Sequence, residues 1–310
     1  MNPITGLLGA LAAVTALFVG GWSRSILALK TKIRFPNAIE VLIGSCTNFF
    51  DALGIGSYAT TTALFRFFGV VDDRIIPGTL NVGHTLPSVV ETFIYITVIS
   101  VDVPTLFSMI CSSSLGSWLG AGMVARWPKR KVQIGMGVAL LVAAGLMFMS
   151  QLKLLPGGGD ATGISGFKLV IAVLVYFILG ALMTLGIGVF APTMILVSLL
   201  GMNPKVAFPI MMTSCAFLMP VGSIRFIRER SYSLPAALGL LIGGIPAVFF
   251  AAYIVKELPL DMVRWLVIAV VIYTSVSMLW SASSQKRSAT DRKWRPHFRS
   301  ESPSELVTQT

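Results

Sequence analysis

Charged residues are scarce in this sequence: 12% of its 310 residues, against roughly 25% in an average soluble domain. No polar stretch is long enough to build a separate water-soluble domain. Cysteine is almost absent. Cys46, Cys111 and Cys215 each sit inside an apolar run with no CxxC pair, which excludes a disulfide framework and a cysteine zinc site and predicts three small buried side chains. Histidine occurs twice, at His84 and His297. There is no P-loop, HExxH, GxSxG or dinucleotide fingerprint. Those absences exclude an ATP-driven pump and a metal-dependent intramembrane enzyme; the expectation is a non-enzyme with neither cofactor nor metal. The first 22 residues lack a basic n-region and an A-x-A site, so they are expected to be a spanning helix rather than a signal peptide.

What the sequence has instead is apolar length. Hydrophobic residues make up 55% and mean hydropathy is +0.82. Apolar runs fall at about 4–22, 38–68, 75–101, 103–125, 132–151, 167–200, 206–224, 234–255 and 260–281. Most match the ~20 residues that cross a bilayer, so the fold class is an all-α polytopic membrane protein. The net charge of +11 does not point to nucleic acid. The basic residues lie in short clusters between the runs, where orientation in a lipid bilayer accounts for them.

Two runs, 38–68 and 167–200, are too long for one crossing, and each is interrupted by Gly-Ile-Gly. Gly54 to Val89 aligns without a gap on Gly186 to Val221, at a constant offset of 132 residues. Ten of 36 positions are identical, including Gly54/Gly186, Gly56/Gly188, Thr61/Thr193, Gly69/Gly201 and Pro77/Pro209. The chain is internally duplicated.

Charge then sets topology. Five clusters (Arg24–Arg34, Arg66 with Arg74, Arg126–Lys131, Arg225–Arg230 and Lys286–Arg299) hold 19 of the 24 Lys and Arg. Putting those inside and the other five outside requires each long run to enter and leave on one side, as a re-entrant or broken hairpin with arms of about 14–18 residues. Each repeat is then a hairpin plus three transmembrane helices. Three is odd, so the second copy is inverted, the architecture of many secondary transporters. The expected divisions are an extra N-terminal helix (1–22), a first repeat (38–151), an inverted second repeat (167–281) and a polar, irregular cytoplasmic tail (282–310). The N-terminus is expected outside and the C-terminus in the cytoplasm of a plasma membrane, the bacterial inner membrane.

Broken backbone at membrane depth is tolerated only when buried in protein or lining a wet cavity. The second arm of each hairpin begins with free N–H groups and a positive dipole end, which suits an anion. The candidate substrate-binding residues are therefore Gly54, Gly56, Ser57, Thr60 and Thr61 in copy one, with Gly186, Gly188, Pro192 and Thr193 in copy two. The alternative is glycine that merely lets helices pack closely. Asn81, His84, Ser88 and Glu91 share one helix face, and Thr213 with Ser214 makes a weaker counterpart; Asn81, Thr213 and Ser214 are further candidates for substrate binding. Intramembrane Glu91 and His84, with Asp51 one turn before the first tip, are candidates for proton coupling; each is also open to a purely structural reading. Arg66 and Arg225 read as membrane-edge anchors or as points of anion entry.

These residues carry a resemblance. The segments "LGIGSYATTTALFRFFGVV" with "IPGTLNVGHTLPSVVETFIY", and "LGIGVFAPTMILVSLLGMNPKVAFPIMMTSCAFLMPVGSIRF", are similar to the sulfite exporter TauE/SafE family, also called the toluenesulfonate uptake permease family, over about 38–281. Ser57 and Val189 stand where that family usually has a third glycine. The resemblance implies a secondary active transporter of small anions (sulfite, organosulfonates or related organic anions), coupled to protons or another gradient, with alternating access between the hairpin tips. A passive anion channel shares every feature except coupling, and a non-transporting scaffold or enzyme is the alternative from another class.

Overall fold

The computed structural model describes residues 3–28, 34–96, 101–154, 157–186, 188–253 and 260–294. Ile187, Lys30, Lys32, Lys256 and the tail with His297 lie outside the described residues. In chain order the α-helices are α1 (Pro3–Leu27), α2 (Ala38–Ala52), α3 (Tyr58–Phe68), α4 (Ile76–Tyr95), α5 (Val103–Val124), α6 (Lys129–Gln151), α7 (Gly166–Met183), α8 (Phe190–Leu199), α9 (Ala207–Arg228), α10 (Leu234–Tyr253) and α11 (Leu260–Trp294). No strand forms among the described residues. Among the described residues, six helices (α1, α6, α7, α9, α10 and α11) are long and apolar enough to cross a membrane. The protein is an all-α, multi-pass membrane protein.

The helix boundaries have local causes. Asn37 caps α2 by accepting the Glu40 N–H, while the Glu40 carboxylate accepts the Asn37 N–H, a reciprocal capping box. Asp102 caps α5 through the Thr105 N–H at 3.0 Å. Both long runs break where expected. Residues 53–57 separate α2 from α3, and 184–189 separate α7 from α8. Two of the duplicated glycine pairs keep the same sign of φ: Gly54 and Gly186 have φ of +83° and +95°, and Gly69 and Gly201, which close the short arms, +62° and +83°. The second arms are shorter than expected, at 11 and 10 residues. At 1.5 Å per residue they reach about 15–17 Å, half of the ~30 Å hydrocarbon core, so neither crosses it alone.

The halves interlock. α2 lies along α10, and α7 lies along α5; α4 packs on α9, and α6 on α11. Exchanging α2–α6 for α7–α11 maps this set of pairings onto itself. Glycines permit the two cross-half clasps. A Cβ on Gly44 of α2 would sit 2.6 Å from the Gly239 carbonyl of α10, and one on Gly180 of α7 would strike the Ser113 carbonyl of α5. Helices with small residues at the contact approach closely enough for backbone-level packing, which replaces the hydrophobic drive that lipid removes. α9 is central, with 83% of its most apolar window buried, whereas α1 is peripheral at 11%.

Two expectations change, and a third is sharpened. Cys46 and Cys111 are exposed on the outer face of the bundle and only Cys215 is buried. An apolar segment has two destinations in a bilayer, core and lipid, and composition does not separate them. α11 also runs past its apolar stretch to Trp294 rather than ending near 281. No glycine or proline interrupts it before Pro296, which stops a helix near the residue preceding it. Arg66 is an anchor in a specific sense. It pairs with Asp73 at 2.8 Å and donates to Ser277 at 3.0 Å, tying the foot of α3 to α11, while Gln133 of α6 donates to the same Asp73.

The clasps are testable in detergent. Gly180→Ala and Gly243→Ala, whose added methyl groups meet backbone of the partner helix, are each expected to destabilise by about 1–3 kcal/mol, read as a lower Tm. Gly145→Ala on α6, where nothing lies within 4 Å, is expected to leave Tm unchanged or raised by the ~0.5–1 kcal/mol of helix propensity. Equal effects at all three sites would remove the close-approach account.

Candidate functional site

Ending a helix at membrane depth leaves polar backbone that needs an enclosed setting. Here the two breaks are enclosed by each other. A cavity of about 40 Å³ lies between them. Its walls are Asp51, Gly54, Gly56, Ser57 and Tyr58 of the first hairpin, Met183, Gly188 and Val189 of the second, Ser88 and Glu91 of α4, and Met211, Met212 and Cys215 of α9. A larger space of about 300 Å³ shares Gly54, Gly56, Tyr58 and Gly188 with it and continues along α6 past Ala143, Met147, Ser150 and Gln151. Pro192 and Met194 of α8 complete that outer space. One water needs roughly 10–15 Å³, so the inner cavity holds a few waters or one small oxyanion.

The electrostatics of the inner cavity are one-sided. Two carboxyl groups line it, and no Lys, Arg or His does. Asp51 accepts a hydrogen bond from the Ser57 hydroxyl at 2.6 Å, bridging the break in the first hairpin. Glu91 is 1% exposed, and neither of its oxygens has a protein partner. The Tyr58 hydroxyl is buried and equally unpartnered, at the boundary of the two spaces. Buried polar atoms are nearly always hydrogen-bonded, so unpartnered ones around a single cavity mark where a ligand, a water or a proton is received.

The other residues singled out from sequence divide into three groups. Thr60, Thr61 and Thr193 support the tips without lining the inner cavity. The Thr60 hydroxyl donates back to the Ser57 carbonyl at 2.8 Å, and Thr193 donates to the Val189 carbonyl at 2.6 Å and meets the Tyr176 hydroxyl at 2.8 Å. Gly186 shapes the second tip with its positive φ, and Pro192 faces the outer space. His84 stands behind the first tip. The Asn48 amide nitrogen donates to the Gly44 carbonyl at 2.8 Å, so its oxygen accepts from His84 Nδ1 at 2.9 Å. His84 Nε2 then accepts from the Thr61 hydroxyl at 3.0 Å. The imidazole therefore joins α2, α3 and α4 rather than facing the cavity.

Asn81, Thr213 and Ser214 are fully buried at the α4 and α9 faces, each with an unpartnered side-chain oxygen. They lie outside the walls of both spaces. Arg225, further along α9, stacks its guanidinium 3.9 Å from the centre of the Trp118 ring, with Nε buried and unpartnered. Sequence reading missed the sulfur side of the inner cavity: Met183, Met211, Met212 and Cys215. A signal was present, since Met183 occupies in copy two the position of Asp51 in copy one.

Residues 168–304, less than half of the chain, match the model of the sulfite exporter TauE/SafE family. No curated protein and no solved structure matches the chain.

The tip geometry makes its own prediction. Gly54 and Gly56 have φ of +83° and +92°, yet a Cβ at either would meet nothing within 4 Å. Substitution there costs backbone strain and not space, about 1–2 kcal/mol for alanine. Asparagine, which tolerates left-handed backbone, is expected to lower Tm less than alanine at both positions. A greater loss for asparagine than for alanine would show that space rather than φ sets the cost.

Proposed function

We propose that the chain is a secondary active transporter of small sulfur-containing or organic anions, sulfite and organosulfonates among them, in which the anion and protons occupy the inner cavity together. The observation that carries this reading is the wall of two carboxyl groups without a basic side chain. At ~4 Å and an effective dielectric constant near 20, two like charges repel by about 4 kcal/mol, a factor of roughly a thousand in occupancy. An anion and an ionised Asp51 or Glu91 therefore exclude one another. Protonation removes the repulsion and converts the same groups into hydrogen-bond donors. Binding of anion and proton is thereby linked, and linkage of two ligands at one site is the basis of co-transport.

In this reading Asp51 and Glu91 carry the protons. Ser57, the Tyr58 hydroxyl and the N–H groups opening α3 and α8 receive the anion, with Gly54, Gly56 and Gly188 allowing its approach. Thr60, Thr61, Gly186 and Thr193 hold the tips in shape, and His84 positions the first tip through Thr61. Asn81, Thr213 and Ser214 form a buried polar seam between α4 and α9 outside both spaces, and Pro192 faces the outer space. The two halves are inverted relative to one another, and rocking between them exposes the tips alternately. The chain sits in the bacterial inner membrane with its C-terminus inside.

Proteoliposomes test this with labelled sulfite and an imposed pH gradient. Saturable uptake is expected, accelerating as pH falls on the side of entry and approaching roughly tenfold per pH unit in affinity for each linked proton. Glu91→Gln keeps a hydrogen-bond donor without a titratable proton, so its flux is expected to lose the share of the pH dependence that Glu91 carries and keep the share of Asp51, while exchange persists. Flux indifferent to the proton gradient in the native chain, or unsaturable currents of channel size, would refute the coupled mechanism.

A further inference from the structure

The inner cavity has two chemically different walls. The first half supplies oxygen groups; the second supplies sulfur. Met183, Met211, Met212 and Cys215 all line it, at 2–7% exposure. On α9 the spacings of three and four residues put 211, 212 and 215 on one face, and Met183 reaches the same point from the end of α7. The Cys215 sulfur is 3.9 Å from the Met183 sulfur.

We infer that this sulfur wall is a binding site for a soft monovalent metal ion, copper(I) or silver(I), held by Cys215, Met183 and one of the adjacent methionines. This goes beyond the transport reading and does not depend on it. The first support is ligand class. Thiolate and thioether ligands select soft ions such as copper(I), whereas calcium and magnesium need carboxylate oxygens and zinc prefers His, Cys and carboxylate sets. Among the described residues no group of three or more His, Cys, Asp or Glu is placed to hold a metal ion. The wall itself presents sulfur and neither imidazole nor carboxylate, a ligand set that favours soft ions.

The second support is distance. Two metal–sulfur bonds of ~2.3 Å meeting at the roughly 120° of a three-coordinate ion put their sulfurs about 4.0 Å apart. The two sulfurs already stand at 3.9 Å, the separation that two such bonds require. The third is charge. The unpartnered Glu91 carboxyl and Asp51 share the cavity, with no basic side chain to repel a cation. Binding exchanges one proton for one metal ion: the Cys215 S–H bond breaks, a sulfur–metal bond forms, and the proton leaves through the cavity. No electron transfer is involved. The expectation of no metal site came from His, Cys, Asp and Glu motifs, which cannot register thioethers.

Silver(I) is the probe, because it needs no reductant. The full chain carrying Cys46→Ser and Cys111→Ser, which removes the two exposed thiols, is titrated in detergent and its metal environment read by X-ray absorption. One silver ion per chain with sulfur neighbours only is expected. Met183→Leu, which preserves volume, and Cys215→Ala are each expected to weaken binding by at least the roughly 10–100-fold that loss of even an outer-shell partner costs. Absence of stoichiometric uptake, an oxygen or nitrogen shell, or undiminished affinity in Met183→Leu would overturn the site and leave a thiol–thioether hydrogen bond in its place.

Discussion

A helix that ends inside hydrocarbon leaves as many as four N–H and four C=O groups without intrahelical partners, and lipid offers none. This chain breaks its apolar helices twice, at 53–57 and at 184–189. Much of the structure follows from sheltering those two breaks. Each hairpin is clasped from the opposite half, α2 by α10 and α7 by α5, and glycines bring the backbones near enough to exclude lipid. α4 and α9 fill the middle, cross-linked where the Thr92 hydroxyl donates to the Met212 carbonyl at 3.0 Å and where Thr85 meets Ser223 at 3.3 Å. A cavity at the tips is a by-product of two breaks facing one another. It becomes a site because of the side chains around it.

Those side chains are distributed unequally between two similar halves. Asp51 and Met183 occupy equivalent positions, as do Glu91 and Ser223. Both acids come from the first copy and stand in the cavity, while Ser223 is turned to Thr85 outside it. Duplication supplies the frame, and divergence supplies polarity across it. Concentrating the titratable groups in one half leaves the other free to present a softer, more polarisable surface.

The frame was legible in the sequence because its causes are local. Gly-Ile-Gly breaks, the pairing of Gly69 with Gly201, and runs near twenty residues each report a backbone event at a known place. The lining was less legible because it depends on which way a helix turns. Thr60 sits at the tip, yet its hydroxyl satisfies its own backbone. His84 shares a face with Glu91, yet hydrogen bonds to Asn48 and Thr61 occupy both of its ring nitrogens. Methionine and cysteine carry no distinguishing mark in an apolar sequence, since lipid and core accept them alike. Cys46 and Cys215 look equivalent on paper and have opposite surroundings.

The crossed clasp also imposes an order of assembly on the ribosome. α7 is complete 59 residues after its partner α5 ends, whereas α10 is complete 201 residues after α2 ends. At about 5–20 residues per second, the first hairpin waits roughly 10–40 s in the bilayer for the helix that closes over it. Throughout that interval its broken tip, with Asp51 and Ser57, must be sheltered by something other than its final neighbour. The second hairpin meets its partner already in place. Membrane insertion of this chain is thus inherently lopsided in time, although the finished bundle is close to symmetric.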